Sequence, residues 1–202
     1  MHSNSRRKLL AGLSAFGAAA VARPLRAKSL TPTQAQPEGP YYPVSRPARP
    51  TANLRGSGSK LARGIPLTLG GQVTDPSGKP HTGVVVEIWQ ADHRGIYRHP
   101  RALQQGEEDP NFLGFGATTT DAAGAYAFQT IVPAPYTGRP PHIHVKILRK
   151  QEELLTTQLY VEGHAENENG LLQSLFFRNS DQLMMTLRTD GEGQRTHFDF
   201  VV

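Results

Sequence analysis

Glycine and proline interrupt this sequence too often for a helical bundle. Twenty Gly and sixteen Pro are spread over 202 residues. From residue 66 onward they fall between short runs of β-branched and alternating side chains. Proline lacks the N–H that a helix interior needs, and glycine loses the most backbone freedom on ordering, so both punctuate regular structure rather than extend it. Leu67–Thr74 runs into Asp75-Pro76-Ser77-Gly78, where each residue favours a turn. Further strands are expected at Gly83–Gln90, Ala125–Ile131, His142–Leu148, Thr156–Val161, Leu183–Thr189 and Thr196–Val202. Only Asn169–Asn179, with Leu171, Leu172, Leu175 and Phe176, has helical spacing, and it is short. Seven or so strands with Gly/Pro turns predict an all-β chain, an antiparallel sandwich or barrel. An apolar fraction of 37% supplies one core, and 19% charged residues are too few for a disordered polyelectrolyte.

The formal net charge of +5 raises the question of a nucleic-acid partner. Its location answers it. Residues 1–37 contain no acidic side chain but hold Arg6, Arg7, Lys8, Arg23, Arg26 and Lys28. Ser5-Arg6-Arg7-Lys8 precedes a weakly hydrophobic Ala/Gly-rich run, Ala11 to Ala22, too short to span a bilayer. A charged start, a short apolar stretch and the cleavage-like Ala20-Val21-Ala22 predict a twin-arginine signal peptide over residues 1–28. Export to the periplasm follows as an expectation, with only transient membrane contact. Cleavage after Ala27 would remove five cationic residues and bring the net charge to zero, so no nucleic-acid partner is expected. Residues 29–65 read as an extended arm and 66–202 as the folded sandwich.

There is no cysteine, which excludes disulfides, thiolate metal sites, iron–sulfur clusters and cysteine nucleophiles. The informative stretch is Pro135-Tyr136-Thr137-Gly138-Arg139-Pro140-Pro141-His142-Ile143-His144. On a strand, residues i and i+2 face the same side with Cα atoms roughly 6.5–7 Å apart. His142 and His144 therefore project together, where two imidazoles can grip one metal ion, while Ile143, Val145 and Ile147 face the other layer. A His-x-His pair alone is weak evidence for a metal. No Asp or Glu lies within seven residues after His144, so a neighbouring carboxylate ligand is absent. Two tyrosines sit in suggestive loops: Tyr136, and Tyr97 within Gly95-Ile96-Tyr97-Arg98-His99-Pro100. Phenolate is a hard anionic ligand that favours ferric iron, and it forms at neutral pH only beside a strong cation. From spacing alone, each tyrosine reads first as a packing residue.

Taken together, five blocks resemble the intradiol ring-cleavage dioxygenases, the family of protocatechuate 3,4-dioxygenase and catechol 1,2-dioxygenase. They are TPTQAQPEGPYYP (31–43), GQVTDPSGKPHTGVVVEIWQADHRGIYRHP (71–100), FLGFGATTTDAAGAYAFQTIVPAPY (112–136), RPPHIHVKI (139–147) and LTTQLYVEGH (155–164). The resemblance implies a β-sandwich with long loops carrying a non-haem Fe(III) held by Tyr97, Tyr136, His142 and His144. It places Tyr97 as the tyrosinate that stays bound and Tyr136 as the axial tyrosinate that leaves when substrate binds. Arg139 and Gln158 would line the substrate pocket beside Trp89, with Arg139 stabilising negative charge on the ring; the plainer reading of Arg139 is a surface salt bridge. The implied reaction joins O₂ to a catechol, protocatechuate or substituted catechol and cleaves between the two hydroxylated carbons, giving a cis,cis-muconate-type diacid.

Two positions depart from the family pattern. Ala117 stands where an arginine is often seen, and Pro-Ala-Pro-Tyr replaces Pro-Gly-Pro-Tyr; both leave the choice of catechol open. A complete ligand set on one chain predicts a self-sufficient homo-oligomer. His81, His93, His99, His164 and His197 have no matching ligand role and read as surface or structural residues. The rival expectations are a non-catalytic secreted β-sandwich binding module and a zinc or copper hydrolase built on the His-x-His strand.

Overall fold

The structure, a computed structural model, describes residues 29–136, 138–168 and 180–202. The expected signal peptide and the helical stretch at 169–179 lie outside the described residues. Twelve strands follow in chain order. They are β1 (Gly56–Ser57), β2 (Lys60–Leu61), β3 (Pro66–Thr74), β4 (Val85–Trp89), β5 (Phe115–Thr119) and β6 (Ala125–Ile131). The remainder are β7 (His142–Arg149), β8 (Glu152–Val161), β9 (Met184–Met185), β10 (Arg188–Asp190), β11 (Gly193–His197) and β12 (Phe200–Val201). Short 3₁₀ turns occur at Pro100–Gln105, Ala165–Glu168 and Ser180–Leu183.

Two five-stranded sheets face each other as a β-sandwich. One runs β5-β4-β7-β8-β9; the other runs β10-β11-β3-β12, with β6 also pairing β3. Most pairings are antiparallel, but β11 and β12 pair with β3 in parallel, as β9 does with β8. Strand β3 alternates buried and exposed residues, putting Leu67, Leu69 and Val73 into the interior. These meet Phe128 and Ile131 of β6, Val86 and Ile88 of β4, and Ile143, Val145 and Ile147 of β7 in one apolar cluster. Alternation turns one face of each sheet inward, and removing that face from water is the main drive for the two sheets to stack.

Two expected strands are each divided. Leu183–Thr189 becomes a 3₁₀ turn followed by β9 and β10, which belong to different sheets. The stretch at 196–202 is split by Phe198-Asp199, where Phe198 N–H donates to Gly70 O and the Asp199 carboxylate accepts from Gln72 N–H. An alternating pattern shows which face a residue takes but not which sheet its neighbours join. Strand β5, which alternates weakly, was not expected as a strand.

Strand β7 is buried on both faces for seven of its eight residues. The second cover comes from the chain before β1. Gln36 N–H donates to Thr156 O, Thr157 Oγ1 donates to Gln34 O, and Thr33 N–H donates to Val201 O, seating residues 33–37 along β8 and β12. Residues 38–46 then cross the outer face of the β4-β7 pair. Lys146 forms ion pairs with Glu38 and Glu153 and stands 4.2 Å from the Tyr42 ring centroid. Buried Glu87, the cross-strand neighbour of Lys146, accepts from Tyr42 Oη at 2.6 Å and pairs with Arg46 at 3.1 Å. Buried charges persist only when paired and hydrogen-bonded, and here the arm supplies several of the partners.

Candidate metal centre

The outer face of the β4-β7-β8 region is a ladder of cross-strand neighbours. Trp89 lies opposite His144, His144 opposite Gln158, and His142 opposite Tyr160. A register slip of one residue would turn all of them into the apolar core, so the interior packing of Ile143, Val145 and Ile147 also fixes where the imidazoles point. Trp89 stacks on His144 with ring centroids 4.8 Å apart and planes 6° from parallel.

The two tyrosines arrive on loops that are locked to each other. Asp92 Oδ1 accepts from the N–H groups of Arg94 and Ile96, and its Oδ2 accepts from Asp109 N–H, so this buried carboxylate fixes the turn that presents Tyr97. Gly95 sits at φ 81°, and a Cβ there would come within 2.5 Å of Pro135 O. Glycine at 95 thus lets the Tyr97 loop pack directly on the chain leading to Tyr136. Tyr136 and Arg139 exchange backbone hydrogen bonds across their turn, at 3.2 and 2.6 Å.

Three donor atoms converge. Tyr97 Oη lies 3.2 Å from His142 Nε2 and 3.1 Å from His144 Nε2, and the two Nε2 atoms are 3.1 Å apart. All three residues are buried. The Tyr136 ring lies 5.4 Å from the Tyr97 ring, edge-on to it, and 5.5 Å from that of His142. His142 Nδ1 stands 2.7 Å from Pro140 O. A carbonyl only accepts, so Nδ1 carries the proton and Nε2 turns a lone pair into the centre. Burial, aided by Arg139, pushes the His142 pKa down to about 3, so a second proton is disfavoured. His144 is held well below the usual range by burial, by His142 and by Arg139. Burial raises both tyrosines, with Arg139 opposing it in each. Arg139 therefore favours the form of each of the four side chains that can donate an electron pair to a cation. Among the described residues no three His, Asp or Glu side chains gather, so a metal at this centre depends on tyrosine oxygens. Two neutral imidazoles and two phenols fit ferric iron, for which hard oxygen donors are suited.

All the expected site residues lie in this region. Tyr97, His142 and His144 form the triangle, with the Tyr136 ring packed at its side. Arg139 Nη2 donates to Gln158 Oε1 at 2.6 Å, which turns the guanidinium toward this side-chain amide. Ala117 is buried in the aromatic cluster that holds Trp89 and Tyr97. The other five histidines among the described residues serve locally; for example, His99 caps the 3₁₀ turn by accepting from Arg101 N–H. Sequence reasoning missed the arm's share. Tyr41 stacks on Tyr97 at 4.5 Å, Gly39 lies where a Cβ would stand 3.3 Å from His144 Cε1, and Tyr42 meets Trp89 edge-on at 4.9 Å. It also missed Tyr160, which alternation would have placed on the same face as Gln158.

The sequence profile of a family described as "Dioxygenase" matches residues 37–202. The beta chain of protocatechuate 3,4-dioxygenase from Burkholderia cepacia is 39% identical over 121 residues, which cover 56% of this chain and 51% of that one. The chain spans about half the length of the curated relatives it matches. Among solved structures, the dioxygenase domain of a dioxygenase–carbohydrate-binding protein fusion from Streptomyces sp. SirexAA-E superposes with a TM-score of 0.67 at 36% identity. That match covers 85% of this chain and 98% of that domain. The 3-chlorocatechol 1,2-dioxygenase of Rhodococcus opacus 1CP gives a TM-score of 0.62 at 27% identity, over 84% of this chain and 72% of that one. The four candidate ligands lie within the matched residues, on the sandwich that these relatives share, and the chain belongs to the intradiol ring-cleavage dioxygenase family.

Proposed function

We propose that this chain is a ferric-iron dioxygenase that cleaves a catechol between its two hydroxylated carbons with O₂, yielding a cis,cis-muconate-type diacid. The observation that carries this reading is the convergence of Tyr97 Oη, His142 Nε2 and His144 Nε2 to within 3.1–3.2 Å, with the Tyr136 ring packed edge-on against that of Tyr97. Tyr97, Tyr136, His142 and His144 would hold the metal. Bound Fe³⁺ would supply the Lewis acidity that favours the anionic form of the catechol and readies its ring for O₂.

The protein's own groups do the rest. By the family resemblance, Tyr136 would be the ligand that gives way to substrate, and its phenolic oxygen could then take up a proton from a substrate hydroxyl. Arg139 presents a fixed positive charge to the electrons that accumulate on the ring. Trp89, Tyr41 and Gly39 close the far side of His144 and Tyr97 against water. Export by the twin-arginine route, which carries folded chains, would let iron be loaded in the cytoplasm before translocation.

The test is oxygen uptake by purified, iron-replete protein over a panel of catechols, with identification of the products. Ring cleavage between the hydroxylated carbons and a visible tyrosinate-to-iron band are expected. A colourless iron-replete protein would sink the proposal. A zinc or copper hydrolase would call for a third imidazole or carboxylate at the centre, and among the described residues none joins His142 and His144.

A further inference from the structure

The carboxamide of Gln158 is held from three directions. Its Oε1 accepts from Arg139 Nη2 at 2.6 Å and from Tyr160 Oη at 3.1 Å, and its Nε2 donates to Pro37 O at 2.6 Å. An amide has one accepting end and one donating end. Turning it over would set its NH₂ against a guanidinium and its oxygen against a carbonyl, losing both of those hydrogen bonds and forcing the Tyr160 hydroxyl to turn from donor to acceptor. The amide is therefore held in one orientation, and its Oε1 gives Arg139 a fixed acceptor.

The two donors on Oε1 differ in how they are anchored. Arg139 comes from the end of a turn. Tyr160, the next-to-last residue of β8, is fully buried and packs with Leu183, Met184 and Phe198. Its ring lies 5.9 Å from that of His142, its cross-strand neighbour. Burial pushes its phenol up to about 12 against the pull of Arg139, so it remains a donor across the neutral range. A rigid core side chain thus fixes the acceptor that a loop-borne cation needs, and precise placement of charge depends on this kind of support.

We infer that Tyr160 is a positioning residue for ring cleavage: through Gln158 Oε1 it sets the Arg139 guanidinium beside the metal centre, with Pro37 O holding the far end of the amide. The inference rests on the proposed dioxygenase activity and goes beyond the residues that the family resemblance assigns.

Tyr160→Phe keeps the buried ring and removes only the hydroxyl. In iron-replete protein it is expected to lower kcat about tenfold, the effect of about one lost hydrogen bond, while KM for catechol changes by less than about twofold. The visible band should stay in place, because the four ligands are untouched. In an Arg139→Ala background the same change should cost little more, since a residue acting through Arg139 has nothing left to place. Wild-type kcat in Tyr160→Phe, or an equal loss with and without Arg139, would overturn the assignment. A second readout needs no turnover. In metal-free protein the Gln158 side-chain NH₂ protons should exchange slowly by NMR, and faster in Tyr160→Phe; identical exchange would also overturn it. If the wild type consumes no O₂ with any catechol, the ring-cleavage reading fails, and the amide exchange still decides whether Tyr160 orients Gln158.

Discussion

The two faces of β7 are both buried, but by different means. Ile143, Val145 and Ile147 enter the apolar layer between the sheets, where shape and volume suffice. His142, His144 and Lys146 lie under the arm, where polar groups are buried with specific partners: Pro140 O for His142, Glu38 and Glu153 for Lys146. The inner face obtains its stability from area removed from water. The outer face accepts a desolvation cost and gains groups held at fixed distances. Stability and chemistry are thus separated by a single step along the strand, and substitutions on the two faces should fail differently.

The largest effect should come from Tyr97→Phe. Removing one ligand oxygen is expected to weaken and shift the visible band, because Tyr136 remains a tyrosinate, and to cut ring cleavage by a factor on the order of a thousand or more. The ring still stacks on Tyr41, so the metal-free protein should unfold within about 1 kcal/mol of wild type in urea. A wild-type turnover number would remove Tyr97 from the ligand set. Ile143→Ala should do the reverse. It is expected to cost about 2–5 kcal/mol in urea unfolding through the cavity it leaves, while kcat per folded molecule and the visible band stay near wild type. Loss of the band in a protein that remains folded would show that the faces are not separable.

The histidines should give the metal-free protein a distinctive pH dependence. The folded His142 pKa lies at about 3, below its unfolded value of 6.5, so unfolding takes up protons between those values. Stability should be full above about pH 6.5 and fall as pH drops toward 3, by up to about 1.4 kcal/mol per pH unit for this one histidine. A flat urea midpoint between pH 7 and 5 would contradict it, and a His142→Leu variant should show a shallower slope. The smallest effect is expected from Glu38→Gln, because Glu38 is substantially exposed. It should cost about 0.5–1 kcal/mol and speed hydrogen exchange at Gln36 N–H more than at β7 amides. Equal acceleration at both would mean that the arm and the strand open as one unit.

Much of the sandwich was legible from local pattern. Ala125–Ile131 and the start of β7 at His142 fall where alternation placed them, because a strand with one apolar face can sit only one way on a core. The division of 183–189 between two sheets, and the break of 196–202 into two strands along β3, were not, since the pieces keep an alternating pattern while their partners lie far away in sequence. At the site, the same-face projection of His142 and His144 follows from a period of two. The tyrosines could be attached to them only by family resemblance, because Tyr97 stands 45 residues from His142 and no spacing rule spans that gap. Tyr41, Tyr42 and Gly39 were hidden because a Pro-rich stretch reads as loop whether it hangs free or is seated on a sheet.

The sequence alone determined that the chain is all-β, that it has no thiolate chemistry, and that two imidazoles share one strand face. These properties follow from residue type and a repeat of two, both local. Only the tertiary structure decided that the polar face of β7 is buried, that the arm covers it, and that Tyr160 and Pro37 hold Gln158 against Arg139. Each of these depends on groups far apart in the chain, such as Gln158 and Pro37, 121 residues apart, and only packing of the whole fold sets such distances.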